Sequence, residues 1–202
     1  MGPAWTSCRG VRDLRVSSPG GQYPNNGTLV VVAKPQLTDA RRIRGHISWR
    51  TVDLRLHAIR EVWVALTRFD GRPHSVPVWF WWDGVSLYFT ARAGTLKPRS
   101  LAKRPAVIVH NGDGVDPIII EGRATAVVEP SDLERVSAAY GRKYVDPATG
   151  NRAMVDANVD AVFRVGLERV QAWAYANAST QTVWQFIERP IDGESGRPRG
   201  GR

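Results

Sequence analysis

The sequence predicts a mainly β protein, a closed or nearly closed antiparallel barrel with a few helices. Three observations carry this. Two Asp-Gly pairs, Asp70-Gly71 and Asp83-Gly84, each separate runs rich in Val, Trp, Phe and Tyr, the pattern of tight hairpins. More short β-rich runs follow, with turn residues between them. Only three stretches have the character of helices. Many short strands with few helices favour a barrel that leaves no long free edge.

Taken in order, Val52 to Ile59 is expected as a short helix and Val62 to Thr67 as a strand of β-formers. Asp70-Gly71 turns the chain into a second strand, Pro73 to Trp82. Pro77 cannot donate to a ladder, so it marks an edge or a bulge. Asp83-Gly84 leads into a third strand, Ser86 to Ala91. Thr95 to Arg104 reads as a short helix that tolerates Pro98 in its first turn. Ala106 to His110 and Ile118 to Val128 are strands. Glu129-Pro130-Ser131-Asp132 opens a helix to about Tyr144, with Ser131 and Glu134 at capping-box spacing. Ala161 to Val165, Arg169 to Tyr175 and Thr182 to Phe186 complete the strands.

A chain of 202 residues with 43% hydrophobic content suits one domain with tails. Residues 1–45 mix Gly, Pro, Ser, Asn and Arg without periodicity and are expected to form a disordered arm. Residues 46–190 form the domain, and the glycine-rich 191–202 a disordered tail. The composition of the arm also fits translation starting further along, near Leu54. The longest aliphatic run, Leu29 to Ala33, is too short for a bilayer. The first residues lack a basic segment followed by an apolar core. A single cysteine, Cys8, excludes an intrachain disulfide and a cysteine zinc site. A cytoplasmic protein is the expectation. Of the net charge of +9, residues 1–50 carry +6 and residues 51–187 only +2. The basicity is thus not a folded face, which disfavours nucleic acid as a partner. Phosphate-loop, dinucleotide-fingerprint, zinc-protease and serine-elbow motifs are all absent.

The candidate site lies between Asp83 and Asp113, a stretch without any acidic residue. It holds Arg92, Lys97, Arg99, Lys103 and Arg104. A helix starting at Gly94-Thr95 presents N–H groups that favour an anion. Lys97 supplies a point charge and Arg99 a planar fork for phosphate oxygens, and Thr90 a hydroxyl. The neighbouring strand alternates, with Val76, Val78, Phe80 and Trp82 on one face and Trp79 and Trp81 on the other. The second face needs a cover, and a dimer partner or a bound ring would serve. The tryptophans are expected as core or dimer contacts rather than stacked on a cofactor. His74, His110, Tyr140 and Tyr144 read as structural, and Glu121 as one half of a local or cross-strand ion pair.

At these residues the chain resembles a known family. Asp70-Gly71-Arg72-Pro73-His74-Ser75-Val76-Pro77-Val78-Trp79-Phe80 looks like the signature of split-barrel flavin-binding proteins related to pyridoxamine 5′-phosphate oxidase. It is similar, more narrowly, to the actinobacterial flavin/deazaflavin oxidoreductases, many of which use coenzyme F-420. Leu87-Tyr88-Phe89-Thr90, Lys97-Pro98-Arg99-Ser100-Leu101, Arg104-Pro105-Ala106-Val107, Ile120-Glu121-Gly122-Arg123-Ala124 and Val170-Gln171-Ala172-Trp173 extend the resemblance over residues 54 to 187. It implies a homodimer of split barrels with a cofactor at each subunit interface. Val76, Pro77 and Val78 would border the ring, and Thr90, Lys97 and Arg99 would hold the phosphate. Ser100 stands where the family often has Asn, and can still donate a hydrogen bond; Ala91 stands where a Thr is common. The implied function is an oxidoreductase that moves a hydride between coenzyme F-420 and a small conjugated substrate. The alternatives are an FMN enzyme acting on a pyridoxal-like or quinone-like compound, and a non-catalytic carrier of flavin, deazaflavin or haem.

Overall fold

A computed structural model describes residues 40–44, 47–174 and 177–186. The order of elements is β1 (Ala40–Arg44), α1 (Trp49–Ala58), β2 (Glu61–Thr67), β3 (Pro73–Trp82), β4 (Leu87–Arg92), α2 (Leu96–Leu101), β5 (Ala106–His110), β6 (Ile118–Ala126), α3 (Pro130–Lys143), β7 (Asp160–Ala174) and β8 (Asn177–Phe186). All strand pairs are antiparallel, in the order β1-β8-β7-β4-β3-β2-β5-β6, and β6 also pairs with β7. That last pairing closes a six-stranded barrel of β2 to β7, with β8 and β1 extending the sheet beyond β7. The mainly β split-barrel fold expected from the sequence is the fold observed.

The barrel is split because β3 changes partners. Its residues Pro73 to Trp79 pair with β2, in register from Thr67 to Glu61. Only Phe80, Trp81 and Trp82 pair with β4, opposite Phe89, Tyr88 and Leu87. Before Phe80 the two strands diverge, and one edge of β3 is open. Pro77, which has no N–H to offer, sits on this stretch, as its chemistry requires.

The interior is filled by alternate residues of the strands. Val62, Val64, Val78, Phe80, Trp82, Leu87, Phe89, Val109, Ile118, Ile120, Val165 and Val170 are all buried there. α1 adds Val52 and Leu56, and α2 adds Leu101. Each such side chain contributes about 1.5–3 kcal/mol by leaving water. α1 is tied down by Trp82, whose Nε1 donates to Asp53 Oδ1 at 2.7 Å. A second cluster lies outside the barrel wall, where Val136, Tyr140 and Tyr144 from α3 and its end pack on Tyr88 and Val162.

The hairpins form where Asp-Gly occurs. Gly71 adopts φ 91°, a region open to glycine, and Asp83 Oδ1 accepts from the N–H groups of Val85 and Ser86 at 2.9 and 2.7 Å. Several expectations are corrected. α1 begins at Trp49, three residues early, because Ser48 caps it: its Oγ accepts from the Thr51 N–H at 3.2 Å. A translation start near Leu54 would cut this helix in half. α3 has no capping box; Pro130 takes the first turn, so Glu129 is the N-cap and Ser131 is already inside. α2 stops at Leu101 rather than Arg104. The two strands expected at 161–165 and 169–175 are one continuous strand, β7. β1 falls within the expected arm; the remainder of 1–45, apart from β1, and the 191–202 tail lie outside the described residues.

Candidate functional site

β3 and β4 pair only from Phe80 to Trp82, and α2 packs against β2 and β4 beside the stretch where they part. Lys97 lies in the first turn of α2. It is half-buried, and burial holds its amine below the usual lysine range. None of the ion pairs among the described residues includes it. A cation taken partly out of water without a counter-charge is costly unless a ligand supplies one. No side chain caps α2; the Thr95 hydroxyl donates instead to the Arg92 carbonyl at 2.7 Å. Arg92 is exposed at the end of β4. Arg99 is exposed too, with its guanidinium carbon 4.8 Å from the Phe69 ring centroid.

The other candidate residues differ in their exposure. Val78 is buried and Val76 half-buried, and both pack on the barrel interior. They can offer a ring only their main chain, whereas Pro77 is exposed. Thr90 is half-buried in β4, beside the Tyr140 phenol. Ser100 is fully buried, and its Oγ accepts from the Phe69 N–H at 3.3 Å. Ser100 therefore anchors the β2–β3 turn onto α2 instead of facing a ligand; its short side chain reaches the turn and no further.

The sequence reading missed that turn as part of the site. Arg68 and Arg72 both pair with Asp70, at 3.2 and 3.0 Å, and Arg68 Nε is buried without a partner. The Arg72 backbone N–H, above all, keeps the Asp70 carboxyl below its usual range. Phe69 and Arg68 thus border the cationic patch, held by Ser100. The signal was the density of arginine around Asp70-Gly71, which serves the hairpin and the patch together.

The second tryptophan face is covered only in part from within the chain, and Trp79 remains 48% exposed. Trp81 stacks on Tyr88 at 5.1 Å and lies under the Arg135 guanidinium at 5.0 Å. Trp79 stacks on Tyr144 at 4.5 Å, nearly parallel. The tyrosines are more than packing. Tyr140 donates to the Trp79 carbonyl at 2.8 Å, and Tyr144 binds the backbone of Phe80. Burial pushes the Tyr144 phenol up to about 12, so it stays protonated. His110 accepts from the Gly112 N–H and stacks on Trp63, and Glu121 pairs across the strands with Arg169 at 2.9 Å; both play structural parts. Among the described residues no three His, Cys, Asp or Glu side chains gather to hold a metal ion, and no helix is long and apolar enough to cross a membrane.

Comparisons with known proteins agree with this architecture. Residues 50–174 match the family model described as pyridoxamine 5′-phosphate oxidase. No curated protein matches the chain. Among solved structures, a conserved hypothetical protein of Mycobacterium tuberculosis is 23% identical, with a TM-score of 0.56 over 67% of this chain and 89% of that one. A Bacteroides thetaiotaomicron protein, provisionally described as a 5-nitroimidazole antibiotic resistance protein, is 13% identical, with a TM-score of 0.54 over 73% and 90%. A Listeria innocua protein, provisionally described as a pyridoxamine 5′-phosphate oxidase, is 18% identical, with a TM-score of 0.51 over 61% and 95%. At these identities the solved structures speak for the fold; the family model, spanning 125 of the 202 residues, speaks for descent. The chain belongs to the pyridoxamine 5′-phosphate oxidase family.

Proposed function

We propose that the protein is an oxidoreductase that binds a flavin-type cofactor along the edge where β3 leaves β4. The observation that carries this is Lys97, a half-buried ammonium without a carboxylate partner, beside the uncapped start of α2. With Arg92 and Arg99 it makes a patch short of an anion, which a cofactor phosphate would supply. The open edge of β3 from Val76 to Val78 offers main-chain groups to the rim of a flat ring, and Pro77 adds an apolar surface. The residues present fit the phosphate end through Lys97, Arg92 and Arg99, and do not fit it through Ser100.

A bound flavin or deazaflavin supplies hydride transfer to a small conjugated substrate. The chain's own residues bind its phosphate, orient the ring along β3 and exclude water. FMN is favoured by the family to which the chain belongs. Coenzyme F-420 is the second reading, favoured by the Pro77-Val78-Trp79-Phe80 strand and the Lys97 helix start, which resemble deazaflavin enzymes. We also propose a homodimer, supported by exposed Trp63 and Ile108 on the outer face of β2 and β5.

The test is to titrate the purified protein separately with FMN and with F-420, following fluorescence and thermal stability, and then to assay turnover with the reduced cofactor. Preference for one cofactor selects between the two readings. Binding without turnover on any substrate would make the protein a carrier. If neither cofactor binds, the proposal fails.

A further inference from the structure

Trp79 is held still, yet it stays exposed. One face of its indole lies on Tyr144, with ring centroids 4.5 Å apart and planes 7° from parallel. Tyr144 is itself fixed by its hydroxyl to the backbone of Phe80, and Tyr140 donates to the Trp79 carbonyl at 2.8 Å. Trp81 differs, because Tyr88 and the Arg135 guanidinium both lie against its ring. Among the described residues Tyr144 is the only ring stacked on Trp79. Trp79 therefore presents a flat apolar surface of fixed direction, which suits another flat ring laid parallel to it.

Position and charge say what that ring would be. Trp79 follows Val78, at the end of the stretch of β3 that β4 leaves unpaired. Pro77 shares its face by alternation and is exposed. The Arg60 guanidinium carbon and the Lys143 Nζ each stand 5.6 Å from the centroid of the Tyr144 ring that supports Trp79. Neither cation takes part in an ion pair among the described residues. Glu61, across the ladder from Trp79, is the opposing charge. On the Tyr144 phenol, after burial and the Phe80 contact, Arg60 acts more strongly than Glu61. The charge around the platform is net positive, which favours an anion.

We infer that Trp79 is the platform on which the hydride acceptor stacks, and that the acceptor is a planar conjugated anion, a flat ring system carrying a carboxylate or phenolate. This substrate class rests on the cofactor reading of the β3 edge. A flat ring on Trp79 lies next to the main chain of Val76 to Val78, along which the cofactor ring is oriented. The acceptor takes a hydride from the reduced flavin or deazaflavin and a proton from solvent. Two electrons leave the cofactor, and one double bond of the acceptor becomes single. A saturated ring has no flat face to stack, and a flat cation is opposed by Arg60 and Lys143.

The experiment uses the full chain without cofactor and compares probes of matched size. Naphthoate is flat and anionic, decahydronaphthoate is anionic but not flat, and methylquinolinium is flat but cationic. Binding is measured by titration calorimetry, and the assigned indole N–H signals of nitrogen-15-labelled protein are followed by NMR. Naphthoate should bind several-fold more tightly than either other probe and shift the Trp79 signal in step with its binding. Trp79→Leu should weaken naphthoate several-fold, whereas Trp63→Leu, at another exposed tryptophan, should bind it as the wild type does. Arg60→Met should narrow the gap between naphthoate and methylquinolinium. No binding, equal affinity for the probes, or undiminished affinity in Trp79→Leu overturns the platform. So does an unmoved Trp79 signal in the unaltered chain, a readout that needs no variant to fold. The cofactor titrations fail separately: FMN or F-420 bound with no naphthoate on Trp79 overturns the platform alone, and naphthoate on Trp79 with neither cofactor bound overturns its role as the seat of a hydride acceptor.

Discussion

The phenolic oxygen of Tyr144 lies 2.8 Å from both the backbone nitrogen and the backbone oxygen of Phe80. It accepts from the N–H, and its one proton is within reach of the Phe80 and Arg60 carbonyls. The position explains the contact. β2 begins at Glu61, opposite Trp79, so Phe80 is the first residue of β3 beyond the end of β2. Tyr144 stands in for the missing strand partner just where β3 turns to β4. Tyr144→Phe keeps the stack on Trp79 and removes the hydroxyl, leaving buried backbone groups unpaired at a cost of about 1–3 kcal/mol. The urea midpoint should fall with the m-value unchanged; a midpoint equal to that of the wild type would show that the hydroxyl is dispensable there.

Barrel closure depends on a close approach in β6 and β7. A Cβ on Gly122 would lie 2.1 Å from the Gly166 carbonyl oxygen, whereas a Cβ on Gly166 would meet nothing within 4 Å. The register also shifts between Glu121 and Gly122. Gly122→Ala must push two backbones apart and should cost about 1–3 kcal/mol, or a melting temperature lower by several degrees for a chain of this size. Gly166→Ala should cost much less. Similar melting temperatures for the two variants would contradict the geometry.

The contrast between these glycines shows what the sequence could tell and what it could not. Asp70-Gly71 and Asp83-Gly84 were legible because a tight turn is decided by the residues within it. Residues 166–168 fell between two expected strands, yet β7 runs straight through them, because whether a glycine such as Gly166 interrupts a strand depends on its neighbour across the ladder. Ser131 matched a capping box, but Pro130 beside it is better suited to the first turn and moves the cap to Glu129. The partial cover over Trp79 and Trp81 comes from Tyr144 and Arg135, at and just past α3 and about 55–65 residues further along, as well as from Tyr88, and no local pattern reveals it. β1 is rich in arginine, so from sequence it reads as part of a basic arm. At the candidate site, Lys97 and Arg99 were legible as charge in an acid-free stretch. The inward turn of Val76 and Val78 follows from their alternation with Pro77, and the burial of Ser100 required the fold.

Lys143 should leave a signature in the pH dependence of stability. Burial and Arg60 bring its amine down to about 8 in the folded chain, from the ordinary lysine value of 10.5 that it regains when unfolded. Between those values the unfolded chain binds more protons, so this group makes stability rise with pH. Subtracting the profile of Lys143→Met from that of the wild type should isolate an upward slope between about pH 8 and about pH 10.5. The ring of Phe80 favours the ammonium and opposes this shift. A flat difference profile would mean that the ring contact offsets burial and Arg60 together.

The outer face of β2 and β5 carries Trp63 at 39% exposure and Ile108 at 45%. Trp63 lies opposite Pro77 on one side and His110 on the other, and Ala65 opposite Ile108, so the apolar positions are contiguous across three strands. Such patches on a folded surface point to a partner. If that partner is a second copy, Ile108→Lys should shift sedimentation from dimer to monomer at micromolar protein, while the circular dichroism spectrum stays the same. A wild-type chain that sediments as a monomer would remove the second copy from consideration.

Lys97 supports two predictions of opposite sign, which together separate a binding role from a structural one. In the absence of a ligand its ammonium is half-buried and unpaired, so Lys97→Met should leave the protein equally stable or more stable. With FMN or F-420 the same substitution removes a charge-assisted hydrogen bond worth about 1.5–3 kcal/mol, a loss of about ten- to a hundred-fold in affinity. Arg99→Ala, at an exposed position over Phe69, should weaken binding less, because solvent already screens its charge. Ser100→Ala should do the reverse of Lys97→Met: it leaves the part-buried Phe69 N–H without its acceptor and loosens the turn, lowering stability first and affinity only through it. Thermal stability and cofactor titration of the three variants in parallel check the pattern. If Lys97→Met destabilises the unliganded chain and leaves the dissociation constant unchanged, the phosphate assignment fails.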